Sequence, residues 1–228
     1  MGLQFGRRIS LPKGKAFSMI KDQMEKIYKS IPPEQIPWNM ESPPDILRAL
    51  VQTKKIRPCK VIELGCGTGN YVIYLSTKDF DATGVDISST AIEMAKNSAS
   101  GKNVACDFIV ADVLGDMAEI QETFDFAYDW ELLHHIFPPD RGKYINNVYR
   151  LLNPSGRYLS VCFSEESAQF GGTGKYRKTP LDTVLYFSSE SEMVSLFGPL
   201  FHIEELKTID IKGKFAPHKA IYAFLRRK

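Results

Sequence analysis

The run Val61-Ile62-Glu63-Leu64-Gly65-Cys66-Gly67-Thr68-Gly69 constrains the fold of this chain more than any other stretch. Two apolar β-formers lead into an acid, and glycines then recur at every second position. A buried strand that ends in such a loop brings bare backbone close to a ligand, because a side chain would block the approach or forbid the turn. Glu63, at the strand tip, suits a ligand with a cationic amino group and repels a diphosphate. A dinucleotide fingerprint reads G-x-G-x-x-G. Here the third glycine comes one residue early, and Asn70 stands where that fingerprint ends. The next apolar run, Ala82-Thr83-Gly84-Val85, ends in Asp86, about 20 residues beyond the first glycine, where a ribose-binding acid belongs.

Periodicity organises the rest. Apolar residues Phe17, Ile20, Met24, Ile27 and Tyr28 recur at helical spacing over 17–30, and Ile31-Pro32-Pro33 stops that helix. Ser42 is placed to cap a second helix running to about Lys55, with proline in its first turn. Strands at 59–64, 81–86, 104–110, 124–129 and 157–163 alternate with helices near 69–77, 89–99 and 140–152. Ser88 is a cap for the helix at 89–99, and Gly101 is its stop. This alternation predicts an α/β fold, a parallel sheet with helices on both faces. The ending differs: 201–211 and 219–226 both read as strands joined by a loop, which predicts an antiparallel pair. Ser188 or Ser189 caps a helix to about Phe197. The 164–187 connection is long enough to be a substrate loop or lid. Its glycines at 171–174 make it costly to order, so it is expected to order on ligand binding.

With 228 residues and a net charge of +2, a single domain is expected, and the charge is too mild to point to nucleic acid. The chain contains no apolar run of membrane-spanning length, and residues 1–15 are basic without the apolar core of a secretory signal. The expected location is the cytoplasm. Cys59, Cys66, Cys106 and Cys162 show no metal spacing and read as buried thiols. No metal site is expected.

Five blocks in order over 59–163 resemble the class I S-adenosylmethionine (SAM)-dependent methyltransferases. They are Glu63 to Gly69; Gly84-Val85-Asp86-Ile87-Ser88; Asp107-Phe108-Ile109-Val110-Ala111-Asp112-Val113; Phe124-Asp125-Phe126-Ala127-Tyr128-Asp129; and Leu151-Leu152-Asn153-Pro154-Ser155-Gly156-Arg157. The resemblance implies a Rossmann-like sheet, mostly parallel with a terminal antiparallel strand, and SAM as cofactor with S-adenosylhomocysteine as product. It divides the chain into an N-terminal helical cover, 1–57, and a SAM-binding core, 58–228.

By the same resemblance, the backbone of Gly65-Cys66-Gly67 lies against the methionine part of SAM, Glu63 organises its amino end, and Gly69 belongs to the same cofactor site. Asp86 takes the ribose hydroxyls, Ile87 flanks the adenine, Asp112 accepts from its amino group, and Val113 supports the ring. For Asp112 a second reading stands open, a cap for a helix at 113–121. Ile36-Pro37-Trp38 is similar to the Pro-Trp segment of thiopurine- and thiol-methyltransferase-like members, which places Trp38 in a cover over the cofactor; Asn39 stands where an Asp is usual. The alternative is that Trp38 pins the N-terminal helices to the core.

The segment Tyr128 to His135 holds the catalytic candidates: Trp130 as a wall, Asp129 or His135 as base or orienter. The histidine pair has the alternative role of packing the following loop. Tyr176, Arg177 and Lys178 are candidates to meet an anionic acceptor, and His218 is a second candidate for substrate contact. The expected function is methylation of a small molecule, with a thiol or other soft nucleophile favoured. Methylation of RNA or protein, and SAM binding without catalysis, are the alternatives. The early third glycine and Glu63 argue against a nicotinamide dehydrogenase.

Overall fold

A computed structural model describes residues 16–228; the reading of residues 1–15 lies outside them. Among the described residues, nine strands and six α-helices follow one another in the order α1 (Ala16–Ser30), α2 (Asp45–Gln52), β1 (Lys60–Leu64), α3 (Asn70–Ser76), β2 (Asp81–Asp86), α4 (Ser89–Gly101), β3 (Asp107–Val110), β4 (Phe124–Trp130), α5 (Pro138–Leu151), β5 (Leu152–Phe163), β6 (Tyr176–Lys178), β7 (Val184–Tyr186), α6 (Glu190–Phe197), β8 (Phe201–Ile211) and β9 (His218–Arg227). Seven strands form one sheet in the order β3-β2-β1-β4-β5-β9-β8. The strands from β3 to β5 pair in parallel, and β9, the last in the chain, is antiparallel to both its neighbours. The expected α/β sheet and its antiparallel ending are both present.

The chain leaves β1 toward β2 and β3 and returns to β4 on the other side of β1. That reversal makes the carboxyl ends of β1 and β4 the switch point where open α/β sheets bind ligands. Strand parity sorts the core into two faces. Val61, Phe126 and Tyr128 pack toward α2, α3 and α4; Ile62, Ala127 and Tyr158 pack toward α5 and α6. Leu47 and Leu50 of α2 belong to the same apolar cluster as Val61 and Phe224. The N-terminal segment and the core thus share one apolar cluster.

Local chemistry explains the helix ends. Ser88 caps α4 by accepting from the Ala91 N–H, and Ser189 with Glu192 forms a reciprocal capping box on α6. Ser42 does not cap α2. That helix starts at Asp45 after Pro44, with no side-chain cap, because Pro43 and Pro44 hold the preceding chain extended. No helix spans 113–121 either. Asp112 Oδ1 accepts from Leu114 N at 2.7 Å and its carbonyl takes Gly115 N at 2.8 Å, so Asp112 closes a tight turn.

The 164–187 connection folds into a β6–β7 hairpin rather than an irregular loop. Arg177 is its staple: buried, it donates to the carbonyls of Gly174, Ser167, Gln169 and Glu165, and it lies 3.8 Å over the Phe187 ring. It is not free to meet an anionic acceptor. Lys178 is paired with Asp182, and Tyr176 packs on Tyr186 and Phe137.

Glu25 docks α1 onto the N-terminus of α4, accepting from the hydroxyls of Ser88 and Thr90, both at 2.6 Å. A carboxylate is favourable there because the exposed N–H groups carry partial positive charge. Burial works to raise the Glu25 pKa, but the hydrogen bonds from Ser88, Thr90 and Lys29 outweigh it and hold the carboxyl at about 2.

Two outcomes follow from these contacts. A carboxyl depressed on folding contributes stability above its unfolded pKa of 4.5 and loses it as pH falls toward about 2. Trp38 fluorescence should therefore report loosening of α1 across that window, and Glu25→Gln should abolish this pH dependence while leaving the protein folded at pH 7. Replacing Arg177 with Ala leaves buried carbonyls unpaired, so trypsin cleavage at Lys175 should accelerate about tenfold or more as the hairpin opens locally.

Candidate active site

The carboxyl ends of β1, β2 and β4 open into a cavity of about 1020 Å³. At its base the glycine loop turns away from β1, its first two N–H groups, of Gly65 and Cys66, both donating to Val85 O. Gly67 has φ +52°, and a Cβ there would lie 2.8 Å from the Tyr28 hydroxyl. Gly69 has φ +76°, and a Cβ would lie 2.5 Å from the Phe108 ring. Only glycine meets both demands at these two positions. The Cys66 thiol packs in the core, and burial raises its pKa.

Asp86 ends β2 beside this loop. Its Oδ2 accepts from Gly67 N and its Oδ1 from Ser88 N, both at 2.9 Å. A carboxylate has about four lone-pair sites, so two remain for a ligand's hydroxyls. Glu63 sits at the tip of β1, buried, accepting from the Tyr128 hydroxyl at 3.0 Å. Burial pushes the Glu63 carboxyl well up and raises that of Asp86 as well. Two acids held against ionisation in one cavity gain from a cationic ligand. Ile87, Asp112 and Val113 line the wall beyond Asp86. Asn147 fixes that wall by donating to the carbonyls of Val113 and Gly115.

The N-terminal segment closes the cavity from above. Trp38 Nε1 donates to the Tyr28 hydroxyl at 2.8 Å, and the Trp38 ring meets His135 edge-on at 6.3 Å. Asn39 Oδ1 accepts from Thr68 and Asn70 of the glycine loop, while its Nδ2 donates to Pro33 O. An aspartate at 39 has no donor for that last bond, which accounts for asparagine here. Lys214, in the β8–β9 loop, donates to the carbonyls of Ile36 and Asn39 and ties the far side of the cavity to the same segment. The sequence places Tyr28 on the packing face of its helix; that its hydroxyl reaches Gly67 is visible only in three dimensions.

The end of β4 supplies the other half of the cavity. Trp130, Glu131, His134 and His135 line it with Phe163 and His218. Burial holds His135 at about 4 and pushes His134 well down, so both rings are neutral near pH 7. Asp129 does not reach the cavity. Strand alternation turns it to the opposite face, where it is fully buried and accepts from the hydroxyls of Tyr144, Tyr158 and Ser160. Burial raises it to about 6. Its role is to satisfy a buried polar cluster, and parity with Trp130 was the signal that could have excluded it. Sequence reading missed Glu131, whose Oε1 lies 2.6 Å from His218 Nε2.

SAM, which the sequence resemblance implies, fits this arrangement. The side-chain-free cradle at Gly65–Gly69 admits backbone contact, Asp86 keeps two acceptor sites, and Glu63 with Asp86 favours a cation. Among the described residues, no group of His, Cys, Asp and Glu side chains has metal-holding geometry, and no helix is long and apolar enough to cross a membrane.

Comparison with known proteins agrees with this reading. Residues 61–156 match the family described as methyltransferase domain. The chain is 28% identical over 152 residues to a 2-heptyl-1-hydroxyquinolin-4(1H)-one methyltransferase of Mycobacteroides abscessus, covering 64% of this chain and 66% of that protein. It is 28% identical over 127 residues to a probable thiol methyltransferase 2 of Arabidopsis thaliana, covering 56% of each. The chain thus spans less than two thirds of the length of either relative. Among solved structures, a 1,6-didemethyltoxoflavin-N1-methyltransferase from Burkholderia thailandensis, with its substrate and S-adenosylhomocysteine bound, superposes with a TM-score of 0.76 at 18% identity over 98% of this chain and 93% of that one. Residues 61–156 thus match a methyltransferase domain, and the glycine loop and sheet order of this chain accord with that match.

Proposed function

We propose that this protein transfers a methyl group from SAM to a small-molecule acceptor. The observation that carries this reading is a single cavity in which the glycine cradle and its two acids adjoin an aromatic chamber, under a cover made by the chain's own N-terminal segment. SAM supplies a methyl group already activated on a sulfonium. The protein's part is to hold the acceptor in line and exclude water, which is worth about 7–11 kcal/mol. Trp38, tied to Tyr28, and Lys214, tied to Ile36 and Asn39, supply that exclusion. The same cover favours a small acceptor over RNA or a protein chain, which would have to enter beneath it.

Two acceptor classes are supported. A thiol or other soft nucleophile accords with the Trp38 segment and with the likeness to the thiol methyltransferase of Arabidopsis thaliana. A heteroaromatic oxygen or nitrogen accords with the aromatic lining and with the likeness to the hydroxyquinolinone methyltransferase. Incubation with methyl-labelled SAM and a panel of thiols, phenols, heteroaromatic hydroxyls, amines and carboxylates tests the proposal. Label should pass to at least one small acceptor. Label passing only to RNA or protein, or to nothing while S-adenosylhomocysteine still binds, contradicts it.

A further inference from the structure

Glu131 is the first residue after β4, and its φ of +65° puts a residue with a Cβ in the left-handed region. Strain of this kind persists where the surrounding structure enforces it, and it concentrates at functional sites. Its backbone N–H is anchored to Val161 O at 2.8 Å. In a regular strand Glu131 would follow Asp129 to the opposite face of the sheet. The left-handed turn instead brings it to the cavity side with Trp130.

There His218, the first residue of β9, meets it. Nε2 and Glu131 Oε1 are 2.6 Å apart, with the side chains 7% and 16% exposed. The imidazole is stacked obliquely on Phe163 at 4.7 Å, and a Cβ at Gly213 would lie 3.0 Å from its Nδ1, so the β8–β9 loop covers that nitrogen. Thus His218 faces Glu131 and the loop, while Glu131, which lines the cavity, retains a second oxygen, Oε2. The titratable neighbours on the packed elements are Tyr71 of α3 and Cys162 of β5, both pushed up by burial, and His134 and His135, both pushed down. All four are uncharged near pH 7. Among the described residues the salt-bridge partner of Glu131 is His218.

His134 is 3% exposed, lines the cavity, and its Nδ1 has no hydrogen-bond partner. Trp38, Trp130, Phe163, Phe170 and Phe215 line the surrounding walls. Flat rings pack well on such walls. An acceptor arriving as an anion would be repelled by the Glu131 carboxylate; a neutral acceptor with an O–H or N–H is attracted as a donor.

Resting on the methyltransferase reading above, we propose that Glu131 is the catalytic base, that His218 is its positioning residue, and that the acceptor is a flat heteroaromatic molecule, neutral on binding, with an ionisable O–H or N–H. The acceptor's X–H bond breaks, its proton passes to Glu131 Oε2, and its electron pair stays on X. That pair forms the bond to the methyl carbon, while the carbon–sulfur pair returns to the sulfonium sulfur, leaving a neutral thioether.

The test compares wild type, Glu131→Gln, His218→Gln and His218→Ala, using methyl-labelled SAM. The probes are 4-hydroxyquinoline, 7-hydroxycoumarin and lumazine, against benzenethiol and thiocyanate. S-adenosylhomocysteine affinity is measured in parallel by calorimetry. Wild type should prefer the heteroaromatic probes. Glu131→Gln should bind S-adenosylhomocysteine normally yet lose about 100-fold or more in kcat at pH 7, recovering as pH rises and the acceptor ionises in solution. His218→Ala should lose about tenfold or more in kcat with the KM for SAM unchanged, and the amide donor of His218→Gln should restore most of it. Full activity in Glu131→Gln at pH 7, a preference for thiocyanate or benzenethiol, or binding of S-adenosylhomocysteine with no turnover of any heteroaromatic probe overturns the proposal. Failure of wild type to bind S-adenosylhomocysteine overturns instead the reading of the cofactor site on which it rests.

Discussion

The contact on which the site depends is the clamp between Asp86 and the glycine loop. One carboxylate oxygen takes Gly67 N and the other takes Ser88 N, so the end of β2 fixes both the loop after β1 and the start of α4. Gly67 must then lack a side chain, because its φ is positive and the Tyr28 hydroxyl occupies the space. Tyr28 in turn receives Trp38, Asn39 grips Thr68 and Asn70, and Lys214 reaches across to Ile36 and Asn39. A continuous set of hydrogen bonds thus runs from the sheet to the loop, to the cover, and to the far wall. The cradle is organised by the chain itself, which lowers the cost of ordering it on binding.

The two halves of the cavity differ in electrostatics. The half beside β1 and β2 holds Glu63 and Asp86, both disfavoured as anions by burial, so a cationic ligand relieves them. The half beside β4 has aromatic walls, two histidines kept neutral by desolvation, and the Glu131–His218 pair. A cation is thereby directed to one end and a flat neutral molecule to the other. The switch point between β1 and β4 sets them side by side.

What the sequence made legible is what local chemistry determines. The strand–helix alternation, the glycine loop, the placement of Asp86 at the end of β2 and the Ser88 cap depend on residues within a few positions of one another. Expectations failed where the outcome depends on distant partners or on backbone sterics. Ser42 lost its capping role to Pro43 and Pro44. Arg177 was a candidate to meet an anionic acceptor, but carbonyls from 165 to 174 draw it inward. Asp129 shared a motif with Trp130 yet belonged to the other face, a distinction that period-two alternation carries. Glu131 and His218 lie 87 residues apart on strands separated by β5, and only the sheet order brings them together.

We propose the Gly65–Gly69 cradle, completed by Asp86, as the SAM site. Calorimetric titration with S-adenosylhomocysteine tests it most directly, with Asp86→Asn beside the wild type and circular dichroism to verify folding. Micromolar binding by wild type, lost in a folded Asp86→Asn, is the predicted result. Equal binding by both, or no binding by either, contradicts it.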